Sequence, residues 1–219
     1  VEKFSVIKTL QAIDSAHVCL LMLDAQEGLV DQDLHVLSAV LESGKAAMIV
    51  VNKWDGLSED EKKHVQSILE RRLTFVPFVP VRMISAKKGT GVNALFQEIQ
   101  KVYTSASQPL STPQLTRILQ RLVEEHAPPL VNGRRVKLRY AHPGGNNPPV
   151  VVIHGNQLQS LPDNYKRYLS NGFIKYLALE GTPVSVVFKA GRNPYEGKRN
   201  TLTPRQLHKR KRLIRHIKK

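Results

Sequence analysis

The apolar run Ala46-Ala47-Met48-Ile49-Val50-Val51 stops abruptly at Asn52-Lys53-Trp54-Asp55. A continuous apolar run without alternation describes a strand buried on both faces, and such strands belong to parallel sheets covered by helices. The polar residues then fall at the carboxyl end of the strand, where open α/β sheets place their ligands. Asp55 can accept two hydrogen bonds at once. Guanine offers that pair from its ring N1–H and its exocyclic amino group; adenine does not. A site whose polar groups are satisfied by one base rejects the other by ~10⁴-fold. Asn52 would bridge the base and neighbouring loops, and the Lys53 stem would lie over the ring. The same four residues also fit a strand that simply ends in a polar turn.

A second loop bears on that choice. After a helical segment and a strand-like run from Val79 to Ile84 comes Ser85-Ala86-Lys87-Lys88-Gly89. This too is a strand-end loop, able to offer backbone N–H groups to a base oxygen. The candidate guanine-binding residues are therefore Asn52, Lys53, Asp55, Ser85, Ala86 and Lys87.

The flanking segments alternate between the two periodicities. Phe4, Val6, Ile7, Leu10 and Ile13 suit an opening amphipathic helix, and Val18 to Leu23 a short buried strand. Asp31 to Leu41 reads as a helix closed by Gly44. Ser58 should cap a helix running to about Leu73, with Glu59, Asp60 and Glu61 in its first turn. A last helix spans about Val92 to Tyr103, and Thr104 to Pro109 has the composition of a linker. Strands alternating with helices imply a parallel sheet covered on both faces.

The remainder has a different order. Thr112-Pro113 starts a helix whose stripe is Leu115, Ile118, Leu119, Leu122 and Val123, stopped by Pro128-Pro129. From Arg135 to Ala141 the residues alternate, with Val136, Leu138 and Tyr140 expected on one face and Arg135, Lys137 and Arg139 on the other. Val150 to His154 is a second strand. Pro162-Asp163 opens a helix to about Leu179, and Val184 to Lys189 is a third strand. The order is α-β-β-α-β.

Charge divides the chain at the same place. Residues 1–108 hold 12 Lys and Arg against 13 Asp and Glu; residues 109–219 hold 21 against 5. A neutral half followed by a strongly basic one suggests two modules, the second facing a polyanion. From Lys198 to Lys219 there are ten Lys and Arg and no acid. The basic contact candidates are Arg134, Arg135, Lys137 and Arg139, with Lys198, Arg199, Lys209, Arg210, Lys211 and Arg212 in the tail. A single cysteine, Cys19, excludes an internal disulfide and reads as a core residue in a reducing cytoplasm. No apolar stretch reaches the ~20 residues of a membrane span, and no histidine spacing suggests a metal site.

Six strings carry a resemblance to a known family. They are Val1-Glu2-Lys3-Phe4-Ser5, Asp24-Ala25-Gln26-Glu27-Gly28, Asn52-Lys53-Trp54-Asp55-Gly56, Arg134-Arg135-Val136-Lys137, His154-Gly155-Asn156-Gln157 and Lys198-Arg199-Asn200-Thr201-Leu202-Thr203-Pro204. In order and spacing the chain resembles the C-terminal part of the bacterial tandem-domain GTPases of the EngA/Der family, which act in ribosome assembly. The resemblance implies an incomplete P-loop GTPase-type domain over residues 1–108. An α+β KH-like domain over 109–190 and a basic C-terminal tail over 191–219 follow. It implies GTP or GDP as ligand, and ribosomal RNA and the large (50S) ribosomal subunit as partners. It also implies packing of the KH-like domain on GTPase domains, a cytoplasmic monomer, and no membrane association.

Two departures limit what this chain is expected to do. No GxxxxGK[ST] string occurs in the 219 residues, and no DxxG motif precedes Val1. Phosphoryl transfer rests on the parts those motifs supply. Hydrolysis is therefore expected of the longer parent, with Mg²⁺ held there, and this chain is expected to be inactive and without catalytic residues of its own. There is also no Gly-x-x-Gly, the loop by which KH modules clamp nucleic-acid backbone. A docking or RNA-binding module without nucleotide dependence is the competing reading. A third is a module whose basic face is buried against a GTPase domain.

Overall fold

The computed structural model describes residues 2–131, 134–146, 148–190 and 208. Residues 1–107 hold four helices, α1 (Glu2–Ser15), α2 (Asp31–Glu42), α3 (Glu59–Arg72) and α4 (Val92–Ser107). Their strands are β1 (Val18–Asp24), β2 (Ala46–Asn52) and β3 (Val81–Met83). The sheet order is β1-β2-β3, and both pairings are parallel.

β2 is the central strand. Met48, Ile49 and Val50 have no exposed surface. Alternate residues feed opposite faces, as strand geometry requires. Ala47, Ile49 and Val51 pack with Leu37 and Val40 of α2 and Leu69 of α3. Met48 and Val50 pack with Leu95 of α4. The Ser58 cap is realised: its hydroxyl accepts from Glu61 N, and the Glu61 carboxylate accepts in return from Ser58 N at 2.7 Å.

β1 is not the fully buried strand expected. Leu20 and Met22 are 40% and 53% exposed, because β1 is the edge of this sheet and they lie on the face where α4 covers chiefly β2. Cys19 is partly buried against the core, and burial raises its thiol pKa. The expected linker is also displaced. Helix α4 continues through Ser107, since Ala106 is buried beside Ala46 and Val102, and Thr104 donates its hydroxyl to Gln100 O. The connection is the short stretch from Gln108 to Ser111.

The second half contains α5 (Thr112–Glu125), β4 (Leu130–Val131), β5 (Arg134–Arg135), β6 (Lys137–Gly145), β7 (Val150–Asn156), α6 (Asp163–Tyr176) and β8 (Ser185–Ala190). β6, β7 and β8 form the α-β-β-α-β sheet, with β6–β7 antiparallel and β7–β8 parallel. The small β4–β5 ladder, too short for periodicity to reveal, is an addition to the expected order. Leu115, Leu119 and Leu122 of α5 and Leu169 and Phe173 of α6 cover one face of this sheet. Ser111, one residue earlier than expected, occupies the α5 N-cap position.

The alternation expected for β6 breaks at one residue. Leu138 pairs with Gly155 and Tyr140 with His154, so Arg139 is an extra residue on β6. Such a bulge reverses which side chains face inward beyond it. Ala141 is therefore buried in the core, while Tyr140 is 43% exposed. The expectation that Tyr140 shares a face with Val136 and Leu138 is corrected accordingly.

The two sheets are joined by a backbone wedge. Gly181, past the end of α6, accepts from Ala47 N and donates to Phe78 O, each at 2.7 Å. Its φ is +62°, and a Cβ there would lie 2.5 Å from Ala47 O. Only glycine meets both demands. Ser105 Oγ accepts from Glu180 N, and Gln108 donates to Leu177 O. A cavity of about 730 Å³, lined in part by Phe75, Phe78, Arg167 and Lys175, lies along this junction.

Candidate functional site

The carboxyl ends of β1, β2 and β3 converge on one set of loops. Parallel register places Asp24 beside Asn52. Ala25 N donates to Asn52 O at 2.9 Å, and Ile84 N donates to Val51 O at 2.9 Å. These backbone bonds extend the sheet into the loops and fix their spacing.

Asn52 and Ala86 are brought together across the gap. The Asn52 side-chain oxygen accepts the Ala86 N–H at 3.0 Å. Lys53 adopts a left-handed conformation, φ 62° and ψ 25°, and begins the tight 3₁₀ turn Trp54–Gly56. Trp54 N donates to Ile84 O at 3.2 Å. The turn carries Asp55 toward the second loop, where it meets Lys88 Nζ at 3.2 Å. The Ser85 hydroxyl hydrogen-bonded to Asp55, and then Lys88, hold the carboxyl below its ordinary pKa. Asp55 is thus held as an anion by Ser85 and Lys88 of the second loop.

Ser85 is buried and structural. Its N–H donates to Thr90 O at 3.0 Å, and its Oγ accepts from Lys88 N at 3.2 Å. Gly89 and Gly91, at φ +72° and +79°, close this turn, and a Cβ on Gly91 would press on Ile84. Lys87 is exposed at the tip. With the Ala86 and Lys88 amides committed, the Lys87 N–H lies between them without a partner among the described residues.

Two partners were outside the sequence reading. Lys53 is ion-paired to Asp24, which lowers the Asp24 pKa and raises that of Lys53. Lys88 is ion-paired to Asp55. Asp24 had a visible signal, since it ends a strand in the same polar manner as Asn52. Lys88 had none beyond its neighbour Lys87.

The basic candidates divide differently. Arg135, Lys137 and Arg139 are exposed, so contact with the first sheet does not cover them. Arg134 lies in β5, but its side chain is outside the described residues, as are Lys198, Arg199, Lys209, Arg210, Lys211 and Arg212. Among the described residues no group of three or more His, Cys, Asp or Glu could hold a metal. No helix among them is long and apolar enough to cross a membrane.

Residues 3–105 match the elongation factor Tu GTP-binding domain family, and residues 110–189 match the C-terminal KH-domain-like family of EngA bacterial GTPase enzymes. The chain is 60% identical over 218 residues to GTPase Der of Legionella pneumophila strain Corby, covering all of this chain and 47% of that protein. The chain belongs to the EngA/Der family. Two further relatives agree. GTPase Der of Glaesserella parasuis is 60% identical over 219 residues, with 44% of its length covered; that of Salmonella newport is 59% identical, with 45% covered. The chain spans about half the length of the curated relatives it matches. Within this family membership, the incomplete GTPase-type domain and the KH-like domain expected from the sequence are both present as parallel and mixed sheets.

Proposed function

We propose that this chain is the base-selecting and RNA-facing part of a GTP-binding protein, a GTPase that acts in ribosome biogenesis by assisting assembly of the large (50S) subunit. The division is 1–108 for nucleotide, 109–190 for the KH-like domain and 191–219 for the basic tail. The observation that carries the nucleotide reading is Asp55, an ionised carboxylate held by Ser85 and Lys88 at the rim of the strand-end loops.

The residues present fit guanine. The Asp55 carboxylate would accept from the ring N1–H and the exocyclic amine. The Lys87 backbone N–H would donate to the base oxygen. The Lys53 stem, on a left-handed turn and tethered through its Nζ to Asp24, would cover one ring face. Asn52 holds the two loops in register rather than reading the base itself. Phosphates and Mg²⁺ have no such match here, since the 219 residues contain no GxxxxGK[ST] string. On this reading the chain selects a base weakly and hydrolyses nothing, and hydrolysis belongs to the longer protein, a cytoplasmic monomer.

The test is Asp55→Asn in the longer protein. Xanthine carries a carbonyl where guanine has its amine, and the Asn amide can donate to it. Preference should move from GTP toward xanthosine triphosphate. Unchanged GTP selectivity would remove Asp55 from the base site.

The charge division supports a second role, ribosomal RNA as the partner of the basic half. Twenty-one Lys and Arg against five acids after residue 108 predict binding that weakens steeply with salt and shows little sequence choice. If nucleotide state leaves RNA binding by the longer protein unchanged, the docking-module reading replaces the switched one.

A further inference from the structure

The face of the β6-β7-β8 sheet opposite α5 and α6 carries three rings in contact. Tyr140 stacks on His154 with centroids 4.6 Å apart and planes 4° from parallel. His142 stacks on His154 at 5.1 Å and lies 6.3 Å from Tyr140. The outward position of Tyr140 and His142 is a product of the bulge at Arg139, since a regular strand would have turned Tyr140 into the core.

The stack is held rigidly. His142 Nδ1 donates to Pro143 O at 2.8 Å. His142 Nε2 and His154 Nε2 share a hydrogen bond at 3.1 Å. Burial, then His142, then Lys189 lower the His154 pKa.

The rim is cationic. Lys189 on β8 is in register with His154, and Lys137 and Arg139 flank Tyr140 on β6. The three strands carry these cations and no Asp or Glu. Fixed rings bordered by unopposed cations suit a strand with exposed bases and a phosphate backbone. A duplex, whose bases are stacked on each other, offers no base to them.

We propose that Tyr140, His142 and His154 form a stacking platform for unpaired bases of single-stranded RNA, with Lys137, Arg139 and Lys189 holding the flanking phosphates. This rests on the RNA reading above and assigns it a surface. It also supplies a grip that does not need the Gly-x-x-Gly loop.

The test uses the whole chain with a short oligouridine and an RNA hairpin stem, followed by fluorescence anisotropy across a salt series. Tyr140→Ala should weaken oligouridine binding about tenfold, the scale of one lost base–aromatic stack, without changing the salt slope. Tyr140→Phe, which restores the ring, should recover most of that loss. Stem binding should be the same in all three proteins. Photocrosslinking of 4-thiouridine-containing RNA to the unmodified chain should label the peptide that holds Tyr140 or His154. This second readout decides the matter even if Tyr140→Ala does not fold. Undiminished oligouridine binding by a folded Tyr140→Ala, or crosslinks confined to other peptides, overturns the platform and leaves RNA binding standing. Absence of binding to either RNA by the unmodified chain overturns both.

Discussion

The side-chain oxygen of Asn52 accepts the backbone N–H of Ala86 at 3.0 Å, joining the loop after β2 to the loop after β3. With the Trp54 N–H bond to Ile84 O and the Lys88–Asp55 ion pair, it holds the two loops together. Asn52→Ala should lower stability by about 1 kcal/mol, the usual worth of one such bond, in urea unfolding. On the proposed reading it should also weaken both guanosine and xanthosine nucleotides in the longer protein. Asp55→Asn should instead exchange one for the other.

Lys87 separates backbone from side-chain roles. Its side chain is exposed, and on the proposed reading its N–H donates to the base oxygen. Lys87→Ala should leave guanine selectivity intact in a nucleotide competition assay, whereas Gly89→Val, at φ +72°, should distort the turn and reduce affinity.

Asp55 makes the site acid-sensitive. Its folded pKa is lowered from 3.8 by Ser85 and Lys88, so the folded state favours the carboxylate. The associated stabilisation is complete above the ordinary carboxylate pKa. It is lost as pH falls through the lowered value. A titration followed by NMR should show the Asp55 carboxyl midpoint below 3.8, and Lys88→Ala should move it upward.

His154 acts in the same sense over a higher pH range. Its pKa is lowered from 6.5, so the unfolded chain takes up the proton first. Stability should rise with pH from the lowered value to about 6.5 and be flat above it. The groups facing it are His142 and Lys189, both of which disfavour its protonation, and the Tyr140 ring. His154→Gln should flatten that part of the unfolding profile.

Gly181 tests the junction between the sheets. Gly181→Val adds a left-handed backbone penalty and drives a Cβ against Ala47 O and Val102. A loss of about 1–3 kcal/mol is expected in urea unfolding. Faster proteolysis within 108–111 should accompany it, since those residues connect the two halves.

Much of this was readable in local pattern. The unbroken run of β2, the Ser58–Glu61 capping box and the stripe of α5 are set by neighbours a few residues away, and each is present in the structure. The proposed guanine-site residues Asn52, Asp55 and Ser85 could be singled out because strand-end polar residues stand out after apolar runs. What Asn52 and Ser85 touch was not legible, because Ala86 is 34 residues away from Asn52 and pairing over that distance depends on sheet order. The end of α4 was misjudged for a similar reason. Thr104 to Ser107 have linker composition, and only burial of Ala106 and the Glu180 N–H bond to Ser105 keep them helical.

By itself, the sequence determined the alternation of strands and helices, the polar strand ends and the charge division, because periodicity, caps and net charge are local or additive properties. The tertiary structure alone decided that Asn52 ties two loops, that Lys88 and Asp24 complete the ion pairs, and that Gly181 wedges the two halves together. It also decided the face that Tyr140 occupies. One extra residue at Arg139 reverses the inward and outward sides of a strand, and where that residue falls is settled by packing against β7.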